Sequence, residues 1–530
     1  MTDYSADLRL DGERYELLHV LVDGESVEVR KYEATYVALP IAMSKEQPSR
    51  GVPPSGEPDA GVGFALKDPN AYHKLHIYIP VCSSPVTKPR PIILQVWNNG
   101  WFASGPHDMV FDGSNYSSTG DGDFVGKILS EGFILVSAGA RSRGALSADD
   151  RFVGKAPAAV VDTKAAIRFL RLNRDVIAGN TDRIVITGTS GGGALSAIVA
   201  ASGNAPDYFP YLRKLGAAGF APDGTSILTD DVFATIAYCP ITDLGNADAA
   251  YEWQFGSYRT PQNTVGGTLT TSATEASAAL AQSYPDYVAS LGLKLEGRTL
   301  TAQTLDALLL AEVAREAERM HATGKPIPPL GGMFTLGNDR ELANDWLSFE
   351  EGGKAEIDRN AFLRFVTSCE KLKIVPAFDA TGNTGDAGLR GENSLFGTDS
   401  QRYSNFTPYG WDNNEVAGDH SGIDDTGMTF AEVLAAPASL LATQLRLINP
   451  IALLKSGEAD IAPYWYVRHG MIDRDTAFAV ILVLYVALKN AKSVHDVNFR
   501  LAWLKPHAGN YDVQEAFAWL LEKLERTKSA

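Results

Sequence analysis

The chain has 530 residues, of which 45% are hydrophobic and 21% are charged, a composition typical of a globular protein with a large core. Lysine and arginine number 47 and aspartate and glutamate 64, so the formal net charge is −17. Because nucleic acids and anionic membranes attract basic surfaces, this charge argues against either as the main partner.

The three cysteines, Cys82, Cys239 and Cys369, are far apart and form no C-x-x-C pair. We therefore expect buried thiols, with no disulfide framework and no zinc site. Residues 1–16 contain neither the basic nor the apolar part of a signal peptide, which predicts a cytoplasmic protein, or a secreted one if a signal was removed. The longest apolar run, 478–488, is too short to cross a bilayer and predicts a buried helix.

The first half of the chain alternates between strand and helix patterns. Residues 14–39 predict a hairpin around Asp23-Gly24, and residues 44–62, rich in Pro, Gly and Ser, predict a loop. Further strands are predicted over 74–81, 91–97, 133–138, 184–187 and 233–240, and helices over 160–172 and 194–201. This alternation indicates an α/β fold with a mostly parallel sheet and helices on both faces.

The pattern changes between residues 243 and 454, which carry few strand signals. Helices are predicted there over 274–291, 300–321 and 360–372, and long loops over 392–425. About 200 residues is too long for a crossover, so we expect an inserted cap domain. The sheet resumes with strands over 463–468 and 497–504, a helix from 476 and a closing helix over 513–526. The predicted division is thus 1–242 and 455–530 as core, with 243–454 as the cap.

A strand, a turn and a helix of small residues surround Ser190 in Gly188-Thr189-Ser190-Gly191-Gly192. This is the layout of a nucleophile elbow, in which glycine avoids a clash at the tight turn. The backbone N–H of Gly191 would then point toward a developing oxyanion. The alternative interpretation is an ordinary glycine-rich turn.

Candidates for a base and an acid follow the last two predicted strands, where the active residues of a parallel sheet gather. His507 lies just after the last strand and Asp473 three residues after the preceding one. The chain order serine, acid, histidine is that of the α/β-hydrolase fold. Asp475 is a rival acid that chain geometry alone cannot separate from the preferred Asp473. His469 is a rival base that is better interpreted as a structural or substrate-side residue.

A second oxyanion donor is expected from the loop after the strand over 91–97. The backbone N–H of Gly100 or of Trp101 would supply it.

Five segments, 155–173, 188–204, 237–244, 467–478 and 506–512, together resemble the bacterial tannases, esterases that cleave galloyl esters. The resemblance covers most of the chain, and its motifs occur in the same order. It implies Ser190 as nucleophile, His507 as base and Asp473, in preference to Asp475, as acid.

The resemblance also implies residues that bind the galloyl hydroxyls. These are Asp475 of the Asp-Arg-Asp motif, Lys373 before Pro-Ala-Phe-Asp, and Glu392 before Asn-Ser-Leu-Phe-Gly. Adjacent phenolic hydroxyls donate well to carboxylates, so a site built to bind them rejects analogues that lack them.

The sequence thus predicts a serine esterase of α/β-hydrolase fold that acts on galloyl esters through a galloyl-enzyme intermediate. Its partner is a small-molecule substrate, and it requires neither a cofactor nor a metal. The acidic run over 412–425 fits no metal-binding pattern. The alternatives are a feruloyl or chlorogenate esterase, a serine peptidase of the same fold, and a binding protein without turnover.

Overall fold

The computed structural model describes residues 2–45, 69–81, 90–379, 391–414, 418 and 420–526. Most of the loop predicted over 44–62 lies outside these residues, as does Cys82. Cys239 and Cys369 are buried free thiols, as expected.

One large sheet organises the described part of the chain. Its strands are β1 Glu16–Val22, β2 Glu25–Thr35, β3 Lys74–Pro80, β4 Arg90–Val96, β5 Asn115–Tyr116, β6 Ile134–Ala138, β7 Gly179–Thr189, β8 Ala234–Tyr238, β9 Tyr464–Gly470 and β10 Asp496–Ala502. They lie in the order β10-β9-β8-β7-β4-β6-β3-β2-β1-β5.

The strands from β10 to β6 in this order are parallel to one another. At the other edge, β3, β2 and β1 run antiparallel. The predicted, mostly parallel sheet is confirmed. The predicted hairpin is formed by β1 and β2, where Asp23 and Gly24 both have positive φ angles, 52° and 86°, as a two-residue hairpin turn requires.

Sixteen α-helices are described. They are α1 Phe124–Ser130, α2 Ala158–Leu172, α3 Arg174–Ile177, α4 Gly191–Ala200, α5 Phe209–Lys214, α6 Leu244–Phe255, α7 Thr271–Ser290, α8 Ala302–Ala322, α9 Arg359–Cys369, α10 Pro408–Asp412, α11 Ile423–Thr426, α12 Phe430–Ala435, α13 Leu440–Leu447, α14 Pro450–Ser456, α15 Phe478–Asn490 and α16 Val513–Arg526. Short 3-10 turns cover Pro69–His73, Asn99–Trp101, Pro206–Tyr208, Gly256–Tyr258, Gly337–Asp339 and Glu392–Leu395. None of the described helices is long and apolar enough to cross a membrane.

Both faces of the central parallel strands, such as β4, β6 and β8, are buried, which explains their continuous apolar runs. Along β4, Ile92 and Leu94 join an apolar cluster with α2 and α4, whereas Ile93 joins a second cluster with α1 and α16. Successive side chains of a strand point to opposite faces, so the helices lie on both sides of the sheet.

The connections place a crevice beside β4 and β7. From β4 the chain proceeds through the edge strand β5 to β6, both on one side of β4, and from β7 it proceeds to β8 on the other side. Where neighbouring strands lead in opposite directions, their carboxyl ends leave a cleft that typically binds the ligand.

Residues 239–463, which include the predicted segment 243–454, connect β8 to β9, which are neighbours in the sheet. The three predicted helices are present as α7, α8 and α9. The segment also contains three two-stranded ribbons that the sequence did not predict: Lys294–Leu295 with Arg298–Thr299, Met333–Leu336 with Arg340–Ala343, and Leu347–Phe349 with Ala355–Ile357. Strands of two to four residues are too short to show a periodic pattern.

Aromatic side chains attach this segment to the rest of the fold. The rings of Trp346 and Trp503 are 6.2 Å apart, and Phe362 stacks on Phe478 at 5.9 Å. All four belong to or pack on the same apolar cluster as the sheet. The segment and the sheet therefore share one continuous core.

Candidate active site

Ser190 lies in a strained turn between β7 and α4, with φ 62° and ψ −124°. Strain of this kind persists only where the surroundings fix it, and it is common at functional sites. Here the Ser190 N–H donates to the carbonyl of Tyr238 at 2.9 Å, and the Ser190 carbonyl accepts from Ile241 and Ala194. Both backbone polar groups of Ser190 are therefore hydrogen-bonded, and these bonds fix the turn.

Glycine lets this turn lie against the loop after β4. A Cβ at Gly191 would lie 2.3 Å from the carbonyl oxygen of Asn98 and 2.5 Å from the nitrogen of Trp101. At Gly193 a Cβ would lie 2.4 Å from the carbonyl oxygen of Tyr238. No side chain fits at these distances, so the close approach requires glycine.

The structure brings Ser190, His507 and Asp473 into one chain of hydrogen bonds. His507 Nε2 lies 2.8 Å from Ser190 Oγ, and His507 Nδ1 lies 2.8 Å from Asp473 Oδ2. Because a carboxylate only accepts, Nδ1 carries the proton, and Nε2 is left to accept from the serine hydroxyl.

Asp475 has a different position from Asp473. Its Oδ2 is 3.9 Å from His507 Nδ1, too far for a hydrogen bond. Its backbone N–H donates to Asp473 Oδ1 at 2.8 Å, and its carboxylate pairs with Arg474. Of the two candidate acids, Asp473 is therefore the one in hydrogen-bond contact with His507.

The contact between Asp473 and His507 shifts the pKa of each side chain. Burial opposes charge on Asp473, but the imidazoles of His469 and His507 and the hydrogen bond from His507 hold its pKa well below the usual range. Burial also opposes charge on His507, yet the Asp473 carboxylate raises the pKa of His507 well above its ordinary value. The contact between the two side chains contributes to both shifts.

His469, the rival base, lies inside β9, which extends to Gly470, past the predicted strand end at Arg468. Its side chain is fully buried, and its Nδ1 is 3.6 Å from Asp473 Oδ2. Neither ring nitrogen has a hydrogen-bond partner among the described residues. Burial lowers the pKa of His469, while the neighbouring Asp473 carboxylate opposes this shift.

A cavity of about 640 Å³ opens above Ser190. Of the predicted site residues, it is lined by Ser190, His507, Gly100, Lys373, Glu392 and Asp475. Ile241, Val265, Ile374 and Ala377 add an apolar wall. Residues from distant parts of the chain thus meet around one space, which can hold an aromatic ring against the serine.

Trp101 is placed differently from Gly100. It is buried, and its N–H donates to the carbonyl of Asn98 at 2.8 Å within its own turn. Gly100 lines the cavity and has a left-handed backbone, φ 59° and ψ 22°.

Two buried carboxyl groups fix the wall that carries Lys373. Asp248 on α6 accepts the N–H groups of Phe378 and Asp379 at 2.7 and 2.9 Å, and Asp379 in turn accepts those of Phe406 and Thr407. Burial raises the pKa of Asp248 to about 7 and that of Asp379 to about 6. The Lys373 ammonium lies 4.2 Å from the ring centre of Phe378.

One lining residue, Arg143, was not predicted as part of the site. It lies in a loop after β6 and contacts both Glu392 and Gly100. Its place just beyond the carboxyl end of a parallel strand is the signal that could have identified it.

Two clusters of described residues have the side chains to hold a metal ion: Cys239 with His469 and Asp473, and Asp473 with Asp475 and His507. Both include Asp473, whose Oδ2 is hydrogen-bonded to His507.

A family model described as BD-FAE, of α/β-hydrolase type, matches residues 75–288. No curated protein matches the chain.

Solved structures resemble the chain over almost its whole length. The tannin acyl hydrolase of Lactobacillus plantarum is 26% identical, with a TM-score of 0.73, over 98% of this chain and 100% of that one. The tannase of Fusobacterium nucleatum is 29% identical, with a TM-score of 0.71, over 98% and 99%. A tannin acyl hydrolase in complex with ethyl gallate is 27% identical, with a TM-score of 0.72, over 98% and 99%.

These neighbours are carboxylic ester hydrolases. The resemblance to bacterial tannases and the enzyme class predicted from the sequence are therefore confirmed.

Proposed function

We propose that the protein hydrolyses galloyl esters, with Ser190 as nucleophile, His507 as general base and Asp473 as the acid that orients it. The observation that carries the proposal is the hydrogen-bond chain from Ser190 through His507 to Asp473, with 2.8 Å at each step. Its serine lies in a cavity that Lys373 and Glu392 also line. One similar structure is a complex with ethyl gallate.

In this mechanism Ser190 Oγ attacks the ester carbonyl while its proton passes to His507 Nε2. The tetrahedral intermediate breaks its bond to the alcohol, which leaves with the proton from His507, and a galloyl-enzyme remains. His507 then takes a proton from water, whose oxygen attacks the acyl carbonyl. The second tetrahedral intermediate breaks its bond to Ser190 Oγ, which takes the proton back from His507, and gallate is released. Asp473 stays ionised and stabilises the imidazolium in both halves.

We assign the oxyanion site to the backbone N–H groups of Gly191 and Gly100. Gly191 is the first residue of α4, where an N–H has no partner inside the helix. Gly100 lines the cavity beside it. Trp101, the predicted alternative, is less suitable because its N–H already donates to Asn98.

The acyl pocket is assigned to Lys373, Glu392 and Asp475. The carboxylates of Glu392 and Asp475 accept hydrogen bonds from the phenolic hydroxyls, and such charge-assisted bonds are the stronger ones. Lys373 donates to the remaining phenolic oxygen. A ring without hydroxyls leaves these groups unpaired, which is the basis of selectivity.

We further propose that residues 243–454 form a cap, with 1–242 and 455–530 as the hydrolase core. This segment supplies Val265, Lys373, Ile374 and Glu392 to the cavity. Since it shares its apolar cluster with the sheet, we expect a cap that is fixed to the core.

The test is the rate of hydrolysis of methyl gallate, methyl ferulate and p-nitrophenyl acetate by the wild type and by Ser190→Ala. We expect rapid cleavage of methyl gallate that the substitution abolishes. Cleavage of the acetate alone would keep the esterase but overturn the galloyl assignment. Hydrolysis that persists in Ser190→Ala would overturn the nucleophile.

The acyl pocket is tested with Glu392→Gln and Asp475→Asn, and with Asp424→Asn, at an exposed position that does not line the cavity, as control. Each of the first two should lower kcat/KM for methyl gallate by about 10–100-fold, the value of a hydrogen bond to a charged group, with a smaller loss for methyl ferulate. Equal losses for both esters would favour the feruloyl esterase alternative.

A further inference from the structure

We propose that Arg143 is a positioning residue that holds Glu392 at a fixed place relative to Ser190 and so couples recognition of the phenolic ring to acylation. The inference rests on the proposed galloyl esterase function and extends it to a residue outside the triad, the oxyanion site and the acyl pocket as assigned above.

The guanidinium of Arg143 joins two parts of the site. Its Nη1 lies 3.3 Å from Glu392 Oε1 and donates to the carbonyl oxygen of Gly100 at 3.1 Å. The side chains of Arg143 and Glu392 are only 4% and 7% exposed. The carbon of the guanidinium also lies 4.1 Å from the ring centre of Phe102. The group is therefore held on three sides.

The backbone of Arg143 is tied to the same loop. Its N–H donates to the carbonyl of Trp101, and its carbonyl accepts from Ala103, both at 3.1 Å. Main chain and side chain together thus fix Arg143 to the loop that carries Gly100, which in turn lies against the turn of Ser190 through Gly191.

Glu392 reaches the cavity from a remote part of the chain, 249 residues after Arg143. Its backbone N–H donates to the carbonyl of Phe378 at 2.7 Å, and the N–H of Phe378 donates to Asp248. The main chain of Glu392 is therefore anchored on the side of α6, and Arg143 determines where its carboxylate points.

A buried carboxylate needs a countercharge, and removing one member of a buried pair leaves the other uncompensated. Arg143 supplies this countercharge through Oε1, so we assign Oε2 to the phenolic hydroxyl. Because Arg143 also holds the loop of Gly100, the hydroxyl and the ester carbonyl are bound by groups at a fixed separation. Binding energy from the ring is then used to align the carbonyl with Ser190.

The experiment measures kcat and KM for methyl gallate and for p-nitrophenyl benzoate, whose acyl ring has no hydroxyl. The variants are Arg143→Gln, Arg143→Lys, Glu392→Gln and the double variant Arg143→Gln/Glu392→Gln. Arg446→Gln is the control, because its ion pair with Asp207 involves no residue that lines the cavity. Labelling of the serine with a fluorophosphonate counts the competent sites in each sample.

We expect Arg143→Gln to lower kcat/KM for methyl gallate by about 10–100-fold and that for the benzoate by less than about threefold, because a hydrogen bond to a charged group is lost for the first ester only. Arg143→Lys, which keeps the charge but not the planar fork, should lie between the wild type and Arg143→Gln. In the Glu392→Gln background the arginine substitution should add less than about threefold, since both act through one contact.

Equal losses for both esters, or additive losses in the double variant, would overturn the positioning role and leave the galloyl esterase function standing. A wild type without preference for methyl gallate over the benzoate would overturn that function and this inference with it. If Arg143→Gln does not fold, Arg143→Lys tests the positioning role instead. The readout is again the loss of kcat/KM for methyl gallate compared with the loss for the benzoate.

Discussion

In the proposed mechanism, the reactivity of Ser190 depends on how His507 and Asp473 share a proton behind it. Burial opposes charge on Asp473, but the imidazoles of His469 and His507 hold its pKa low, and the Asp473 carboxylate in turn raises the pKa of His507. A strong interaction of this kind orients the base. It also requires a higher pH before the base is free to accept the serine proton.

The first prediction concerns this pH dependence. Only neutral His507 accepts the serine proton, so kcat/KM rises as pH passes upward through its pKa. Since Asp473 raises that pKa above 6.5, we expect the acidic limb of the profile for methyl gallate above pH 6.5. Asp473→Asn removes the carboxylate, so the limb should move to lower pH while kcat falls by about four orders of magnitude, as for such acids in general.

The matched control is Asp475→Asn, because that carboxylate is 3.9 Å from His507 and makes no hydrogen bond to it. Its acidic limb should stay close to that of the wild type over about pH 5 to 10. A wild-type limb at or below 6.5, or a limb that Asp473→Asn does not move, would contradict the assignment.

Among the elements, the turn between β7 and α4 and the 3-10 turn Asn99–Trp101 form a single contact surface. The backbone atoms of Asn98 and Trp101 lie directly against Gly191, which leaves no space for a side chain at that position. Both turns follow neighbouring parallel strands at the point where the connections diverge. The position of the proposed oxyanion donors therefore follows from the order of the strands.

Gly191→Ala tests this contact. The added Cβ would lie 2.3 Å from Asn98 O and 2.5 Å from Trp101 N, and backbone atoms cannot rotate away. The loop must move, so we expect kcat for p-nitrophenyl acetate to fall by about 100–1000-fold, as when an oxyanion donor is displaced. Gly122→Ala is the control, since a Cβ there meets nothing within 4 Å. A normal kcat in Gly191→Ala would show that the position of the loop does not depend on the close contact between Gly191 and the backbone of Asn98 and Trp101.

Among the strands, the sequence predicted the apolar runs of the central sheet better than the short two-stranded ribbons. The strands β4, β6 and β8 are apolar runs between turns, and the structure contains each within about two residues of its predicted bounds. The ribbon Leu347–Phe349 with Ala355–Ile357 has no such signal. Arg143 was also missed, because its neighbour Glu392 is 249 residues away and no local pattern records that contact.

For the whole molecule, the long segment between β8 and β9 is the part that the sequence described least completely. Its length and composition indicated an insertion, and its three longer helices were predicted. Its attachment through Trp346 to Trp503 joins residues with no periodic relation in the chain. Such tertiary contacts depend on how elements pack, which local spacing does not encode.

Trp346 provides the test of how this segment and the sheet are linked. It is almost fully buried, and its ring lies 5.1 Å from Phe362, 5.8 Å from Phe334 and 6.2 Å from Trp503. Trp346→Ala should therefore lower the free energy of unfolding by about 3–5 kcal/mol. Leu330→Ala, at a position that is 61% exposed, should change it by less than about 0.5 kcal/mol.

Because the segment and the sheet share one apolar cluster, we expect them to unfold together. In urea, far-ultraviolet circular dichroism, tryptophan fluorescence and hydrolysis of p-nitrophenyl acetate should then change at the same concentration, both in the wild type and, at a lower concentration, in Trp346→Ala. If activity and fluorescence were lost in Trp346→Ala well before the helical signal, the segment would unfold as a unit of its own. The cap would then be attached to the core, and the aromatic contacts would position it without making its stability depend on the sheet.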